Sequence, residues 1–367
     1  MSVVIAGGGS AGHVEPAMAL ADALRRRDPD LAISAVGTAR GLETRLVPAR
    51  GYSLDLIPPV PLPRRLTLDL LRVPWRLAAS VRAARQVLAR RDASVVVGFG
   101  GYVALPVYLA ARRSRTPVVV HEANAKPGLA NRVGARRAVV VAVTVPGTAL
   151  PRAVLTGVPI RREIATLDRA ARRADARRAF GLAADMPCLL VTGGSQGARR
   201  INEAAVAVAA DLTAHGVQLL HITGSAHADS VRAALPAGLT GESAPYVVAS
   251  YVDGMADAYA AADVALCRSG AMTCAEVTAV GLPAVFVPLP HGNGEQRLNA
   301  APVVAAGGGL LVDDSALDGG WLRRHVLPLL ADESRLAAMS KAASALGRPT
   351  ADDELATLVL DAMRGAT

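Results

Sequence analysis

The chain has 367 residues, of which 51% are hydrophobic and 19% charged. That balance excludes a disordered protein and gives room for about two domains, each with its own core. The formal net charge of +9 is unevenly spread: residues 1–200 carry 31 Lys and Arg against 13 Asp and Glu, and the remainder carries 9 against 18.

The first apolar run, "SVVIAGGG" (2–9), reads as a buried parallel strand feeding a helix over 14–27. Between them lies "AGGGSAGHVEP" (6–16), where Gly7, Gly9 and Gly12 match G-x-G-x-x-G. Such a turn offers backbone N–H groups and a positive helix end to a phosphate. A dinucleotide site also needs an acid at the end of the second strand, to bind the ribose diol. Here that strand, "LAISAVGT" (31–38), ends in Gly37 and Thr38, and Glu43 comes later, inside a helix. The nicotinamide or flavin reading therefore fails its own test. His13 starts the first helix, where the positive helix end disfavours imidazolium and leaves a neutral ring able to accept a proton. The one D-x-D, Asp28-Pro29-Asp30, falls before the second strand. That is the wrong end of a parallel sheet for a metal-held ligand.

Residues 60–91 combine Leu66, Leu68, Leu70, Leu71, Val73, Trp75 and Leu77 with eight arginines. Read plainly, this is a packed helix with a solvated basic face; read functionally, it is a segment meeting an anionic membrane surface. Strands follow at 93–101, 116–124 and 137–144, and a join between two halves near 156–164. Arg-rich 168–178 reads as a solvated segment. The pattern then restarts with "PCLLVTGGSQGARRINEAA" (187–205), a second strand, glycine turn and helix in which Ser195 adds a hydroxyl. Further strands are expected at 217–224, 245–252, 262–270 and 282–290, and a last helix at 350–364. The result is an α/β chain of two Rossmann-like halves. In "RSGAMTCAE" (268–276), Ser269 is an N-cap candidate and Glu276 either a ribose ligand or an ordinary exposed acid. Cys188, Cys267 and Cys274 have no metal spacing and read as buried thiols.

No stretch reaches the ~18 uninterrupted apolar residues of a spanning helix. The N-terminus lacks the basic n-region of a signal peptide, so a cytoplasmic protein is expected. The basic first half points to an anionic partner, or else to compositional bias, since Lys126 and Lys341 are the only lysines. Nucleic acid is not favoured, because the arginines lack interleaved aromatics or a known module.

Set in order, "GGGSAGHVEPAMALA", "GFGGYVALP", "HEANAKPGLANRVGAR", "TGGSQGARRINEA" and "CRSGAMTCAEVTAVGLPAVFVPLPHGNGEQRLNA" resemble the MurG family of cell-wall N-acetylglucosaminyltransferases, in its actinobacterial form. The resemblance implies a GT-B fold, with two Rossmann-like domains facing across a cleft. Residues 1–157 would form the acceptor- and membrane-facing domain and 158–347 the UDP-GlcNAc domain, with a helix from about 348 to 367 returning to the first. It implies inverting transfer of GlcNAc from UDP-GlcNAc to the 4-hydroxyl of MurNAc in undecaprenyl-pyrophosphoryl-MurNAc-pentapeptide (lipid I). The product is lipid II, made without metal or cofactor by a peripheral protein on the cytoplasmic face of the cell membrane.

By family position the donor would contact Ser10, Ala11, Gly12, Asn124, Arg161, Ser195, the backbone of Val252, and the run Ala271, Met272, Thr273, Cys274, Ala275 and Glu276. Glu276 would take the ribose and Gln296 the GlcNAc hydroxyls. His13 is the leading base, Glu122 its rival, and Tyr102 a third catalytic position; Asn202, Arg268, Glu295 and Asn299 support the site. Glu295 departs from the second glutamine that relatives often have. Cell-wall synthesis or division proteins are further expected partners. The competing readings are another UDP-sugar-dependent GT-B enzyme acting on a glycolipid or natural product, and a non-catalytic nucleotide-sugar-binding protein.

Overall fold

The structure, a computed structural model, describes residues 1–60, 72–194, 197–241 and 244–365. Ser195 and most of the Leu/Arg stretch 60–71 lie outside the described residues. The chain divides into two compact units, Met1–Arg161 with Pro349–Thr367, and Arg162–Arg348.

The first unit is built on a parallel sheet of β1 (Ser2–Gly7), β2 (Ala32–Gly37), β3 (Ser53–Leu56), β4 (Val95–Gly100), β5 (Val118–Glu122), β6 (Val140–Val143) and β7 (Ala153–Leu155). Their spatial order is β3-β2-β1-β4-β5-β6-β7. The second unit carries β8 (Cys188–Thr192), β9 (Gln218–Ile222), β10 (Tyr246–Ala249), β11 (Val264–Cys267), β12 (Ala284–Phe286) and β13 (Gly309–Leu311), in the order β10-β9-β8-β11-β12-β13. Both sheets thus run outward in two directions from their first strand. The strand order reverses between β1 and β4 and between β8 and β11, and ligands of such sheets bind beyond the carboxyl ends at that reversal.

The central strands are Val-, Ile-, Leu- and Ala-rich because helices cover both faces, leaving no solvent side for alternation. The sequence expects each of them and extends each by a few residues, because their glycine and polar ends turn out of the sheet. It misses β3, β7 and β13, three short strands at or near the sheet edges. Each lies in a run of at most three apolar residues, too short to mark a strand buried on both faces.

The helix Ala351–Arg364 belongs to the first unit, where Leu355, Ala356, Val359 and Met363 join the cluster formed by Val14, Met18, Leu20 and Leu24 of the helix Ala11–Arg27. Arg26 pairs with Asp352 at 2.6 Å beside this seam.

Residues 168–178 are mostly exposed, as expected, and form the helix Arg169–Ala179, capped by Asp168 accepting from the Ala171 N–H at 3.0 Å. Arg177 within it is 1% exposed and binds Asp263 at 3.0 Å together with the carbonyls of Ala183, Ala184 and Ala261. An Arg/Ala composition reads as polar, but a guanidinium can be buried where enough acceptors surround its five N–H donors. Ser269 is not an N-cap; Gly270 occupies that position of the helix Ala271–Ala279. The Ser269 side chain is buried instead. The three cysteines are buried free thiols, and burial pushes Cys188 and Cys267 up to about 12.

Candidate active site

In the first unit the segments after β1, β4 and β5 bring the expected groups to one edge of the sheet. Ser10 precedes the first helix, and its Oγ lies 2.9 Å from His13 Nδ1. His13 is half-buried, and desolvation lowers its pKa below 6.5. Burial acts in the same direction as the helix dipole, favouring the neutral ring. If Nδ1 carries the proton toward Ser10, Nε2 keeps the lone pair a base needs. Gly100, the last residue of β4, and Gly101 after it back this ring with φ of 88° and 76°. A Cβ on Gly100 would come 3.4 Å from His13 Nε2, and one on Gly101 would strike the Gly8 carbonyl at 2.7 Å. Glycine is required there both by the left-handed backbone and by the approach of two loops. Tyr102, next in the chain, is 55% exposed. Ala11 is half-buried and Gly12 exposed on the first turn of the helix.

Glu43 explains the missing acid of the second strand. It is fully buried and accepts hydrogen bonds from Gly9 N–H (2.9 Å), Thr38 N–H (2.9 Å) and Thr38 O–H (3.1 Å). The first glycine loop therefore already has an anion on one of its donors, supplied by the chain itself.

Glu122, at the end of β5, is 3% exposed. Its Oε1 accepts from Asn124 N–H at 2.9 Å, and its Oε2 from Gly128 N–H at 3.0 Å and Asn131 Nδ2 at 2.9 Å. These bonds hold the turn 123–128, which carries half-buried Asn124. Arg161 Nε lies 3.9 Å from Glu15.

In the second unit the helix Ala271–Ala279 starts directly after β11, at the strand reversal. Ala271, Met272 and Thr273 are half-buried on its first turn, where N–H groups have no intrahelical acceptor. Cys274 is buried, Ala275 half-buried, and Glu276 is 7% exposed rather than an open surface acid. Val252 is half-buried in the segment after β10. Gln296 Oε1 accepts from Leu289 N–H at 3.0 Å, which fixes the side chain on the loop before its helix. Glu295, first in the helix Glu295–Ala305, accepts from Asn293 N–H at 3.3 Å. Arg268 pairs with Asp314 at 2.5 Å and donates to the carbonyls of Val287 (3.2 Å) and Pro288 (3.3 Å), bracing the end of β12. Asn299 is buried and donates to the Ser269 carbonyl at 3.4 Å.

Asn202 is also buried, and its amide is spent inside the unit. Nδ2 donates to the Thr223 carbonyl at 3.1 Å, and Oδ1 accepts from His221 Nε2–H at 3.0 Å. His221 Nδ1 then accepts from the Tyr246 hydroxyl at 2.7 Å, so a single tautomer satisfies all three side chains. Sequence reasoning missed Glu43 and Asn131, which bind the first glycine loop and Glu122 respectively. Asn131 stood inside a quoted block, but only its partners in space give it a role.

These two parallel sheets, each with a glycine turn and helix start at its strand reversal, make up a GT-B fold of two Rossmann-like domains. The chain belongs to glycosyltransferase family 28: the family's N-terminal domain matches residues 3–143 and its C-terminal domain residues 188–355. It is similar along its whole length to proteins named UDP-N-acetylglucosamine–N-acetylmuramyl-(pentapeptide) pyrophosphoryl-undecaprenol N-acetylglucosamine transferase. That of Acidothermus cellulolyticus is 62% identical, over 98% of this chain and 97% of the relative. That of Streptomyces avermitilis is 59% identical, over 99% of each. Among solved structures, MurG of Acinetobacter baumannii superposes with a TM-score of 0.79 at 28% identity, covering 98% of this chain and 99% of that one.

Proposed function

We propose that the chain transfers GlcNAc from UDP-GlcNAc to the 4-hydroxyl of MurNAc in undecaprenyl-pyrophosphoryl-MurNAc-pentapeptide, completing lipid II for peptidoglycan synthesis. The observation that carries the reading is full-length identity of 62% to a transferase of that name, with both family 28 domains present.

An inverting transfer needs a base for the acceptor hydroxyl and stabilisation of the departing pyrophosphate. His13 takes the first role, with Ser10 orienting its ring and burial keeping it neutral. Glu122 is assigned to shaping the loop of Asn124, because its lone pairs are committed to that loop. Tyr102 is exposed beside the Gly100–Gly101 turn and is assigned to acceptor contact. In the second unit the N–H groups at the start of the helix Ala271–Ala279 receive the UDP phosphates, and the bond weakened in the transition state leaves its charge there. Glu276 takes the ribose diol, Val252 the uracil through its backbone, and Gln296 the sugar. Ser195, Arg161 and Arg268 complete the donor side, with Glu295, Asn299 and Asn202 supporting it.

The protein is proposed to work as a peripheral protein at the cytoplasmic face of the membrane. No helix among the described residues is long and apolar enough to cross a bilayer. The helix Val73–Arg90 buries Val81, Ala84, Val87 and Leu88 and leaves Trp75 80% exposed at its start. Arg90 and Arg91 at its other end bind Asp55 at 2.7 and 2.8 Å, so they are not part of the lipid-facing set.

The direct test is release of UDP coupled to disappearance of a soluble lipid I analogue. Turnover lost in His13→Ala and Glu276→Gln supports the reading. UDP-GlcNAc binding with no transfer to any lipid I analogue would favour the non-catalytic reading, and transfer only to other glycolipids the wider GT-B one.

A further inference from the structure

A carboxylate buried at 7% exposure, as Glu276 is, needs hydrogen-bond donors, because an ionised group without them is strongly destabilised. The structure supplies one from another helix. The Tyr259 hydroxyl donates to Glu276 Oε2 at 2.7 Å, a well-formed O–H···O bond.

Tyr259 is itself 2% exposed, on the helix Met255–Ala261, where Ala258, Ala260 and Ala261 are also buried. The end of that helix is held from below by one guanidinium. Arg169 donates to the carbonyls of Tyr259 (3.1 Å), Ala262 (2.5 Å) and Gly281 (3.0 Å). Gly281 follows the helix that carries Glu276, so the same arginine ties together the two helices whose side chains meet. Hydroxyl and carboxylate thus meet at a position set by backbone contacts, rather than by two surface side chains finding one another.

We propose that Tyr259 is the positioning residue of the nucleotide ribose site: its hydroxyl holds the plane of the Glu276 carboxylate so that the carboxylate can receive the 2′- and 3′-hydroxyls together. This rests on the reading of Glu276 as the ribose ligand. A vicinal diol is recognised by a carboxylate only in a narrow orientation, and pinning one oxygen removes the rotation that would otherwise be lost on binding. With Tyr259 buried and its hydroxyl on Glu276, its effect on the nucleotide is expected to pass through Glu276.

The test is titration calorimetry of the full-length protein with UDP and with 2′-deoxy-UDP, for the unchanged chain, Tyr259→Phe, Glu276→Gln and the double variant. The unchanged protein favours UDP over the deoxy compound. Tyr259→Phe weakens UDP about tenfold, the scale of one hydrogen bond to a charged group, and leaves 2′-deoxy-UDP nearly unchanged. The donor KM rises by the same factor while kcat at saturating donor stays within about threefold. The double variant binds UDP no more weakly than Glu276→Gln alone. Equal weakening of UDP and 2′-deoxy-UDP in Tyr259→Phe assigns the tyrosine a structural role only and overturns the proposal, as does unchanged UDP binding. If Glu276→Gln leaves the UDP preference intact, the ribose reading of Glu276 itself falls. If it abolishes the preference while Tyr259→Phe does not, only the role of Tyr259 falls. Should Tyr259→Phe not fold, comparing the double variant with Glu276→Gln decides, since no buried charge then loses the tyrosine donor.

Discussion

Asn131 donates through Nδ2 to Glu122 Oε2 at 2.9 Å and is itself held by the Tyr108 hydroxyl, which donates to its Oδ1 at 2.7 Å. Asn131 is 2% exposed and also donates to the His121 carbonyl at 3.0 Å. Glu122 is therefore the acceptor at the centre of a buried network.

Glu122→Gln places an amide NH2 against donors that now meet a carboxylate. Activity and melting temperature are expected to fall together, by about 1–3 kcal/mol of stability for a buried donor left unsatisfied. A chemical denaturation curve beside the kinetic assay checks this. Lost turnover with unchanged stability would instead return Glu122 to the role of base.

His13 is expected to behave differently. Its alanine variant keeps its fold and loses about 10²–10⁴ in kcat, the usual contribution of a general base. Burial lowers its pKa from 6.5, so the base form persists below that pH. The acid limb of the kcat/KM profile therefore lies below pH 6.5 and disappears in His13→Ala. A limb centred above 6.5 would count against His13.

Stability should also depend on pH through two histidines that take no part in transfer. Burial lowers His121 to about 4 and His221 to about 3, so each stays neutral in the fold while the unfolded chain protonates near 6.5. The unfolded state thus binds more protons as pH falls below 6.5, and stability declines with it. Each group contributes a slope of about 1.4 kcal/mol per pH unit until its folded pKa is reached. His121 also holds the Gly157 carbonyl through Nε2–H at 2.9 Å, so its replacement costs stability at every pH. The diagnostic is a shallower decline between pH 6 and 4 in melting curves of His121→Gln and His221→Gln, about one unit of slope per histidine.

Arg177→Met removes the buried guanidinium from Asp263 and from three carbonyls of the second unit. Asp263 retains Arg173 at 2.8 Å and the Cys188 N–H at 2.8 Å. A loss of about 3 kcal/mol is expected, at the lower end for a broken buried pair. Urea unfolding should show it, and UDP binding measured well below the transition should be unchanged.

Membrane attachment is tested by flotation with vesicles of phosphatidylglycerol and phosphatidylethanolamine at low salt. Trp75→Ala with Arg76→Gln should lower retention several-fold, since each basic group near anionic lipid is worth about 1 kcal/mol. Arg90→Gln should leave retention nearly unchanged, because that arginine faces Asp55. Equal loss in both variants, or no retention of the unchanged protein, argues against this segment as the contact.

The sequence by itself determined the two parallel sheets, their glycine turns and the residues at their carboxyl ends. Those features follow from short-range chemistry: uninterrupted Val, Ile and Ala runs make strands buried on both faces, and glycine is what a left-handed turn accepts. The resemblance of the blocks rests on the same local order. Tertiary structure alone decided what the polar groups do. Glu43 reaches Gly9 across 34 positions, Arg177 reaches Asp263 across 86, and Tyr259 reaches Glu276 from another helix. A polar side chain in a sequence is read as solvated because water is its default partner. Whether it is instead buried depends on donors and acceptors that only the folded chain brings within 3 Å or so. That is why Arg177 reads as solvated and Ser269 as a cap, and why the donors around Glu122 and the Tyr259 hydroxyl on Glu276 come only from the fold.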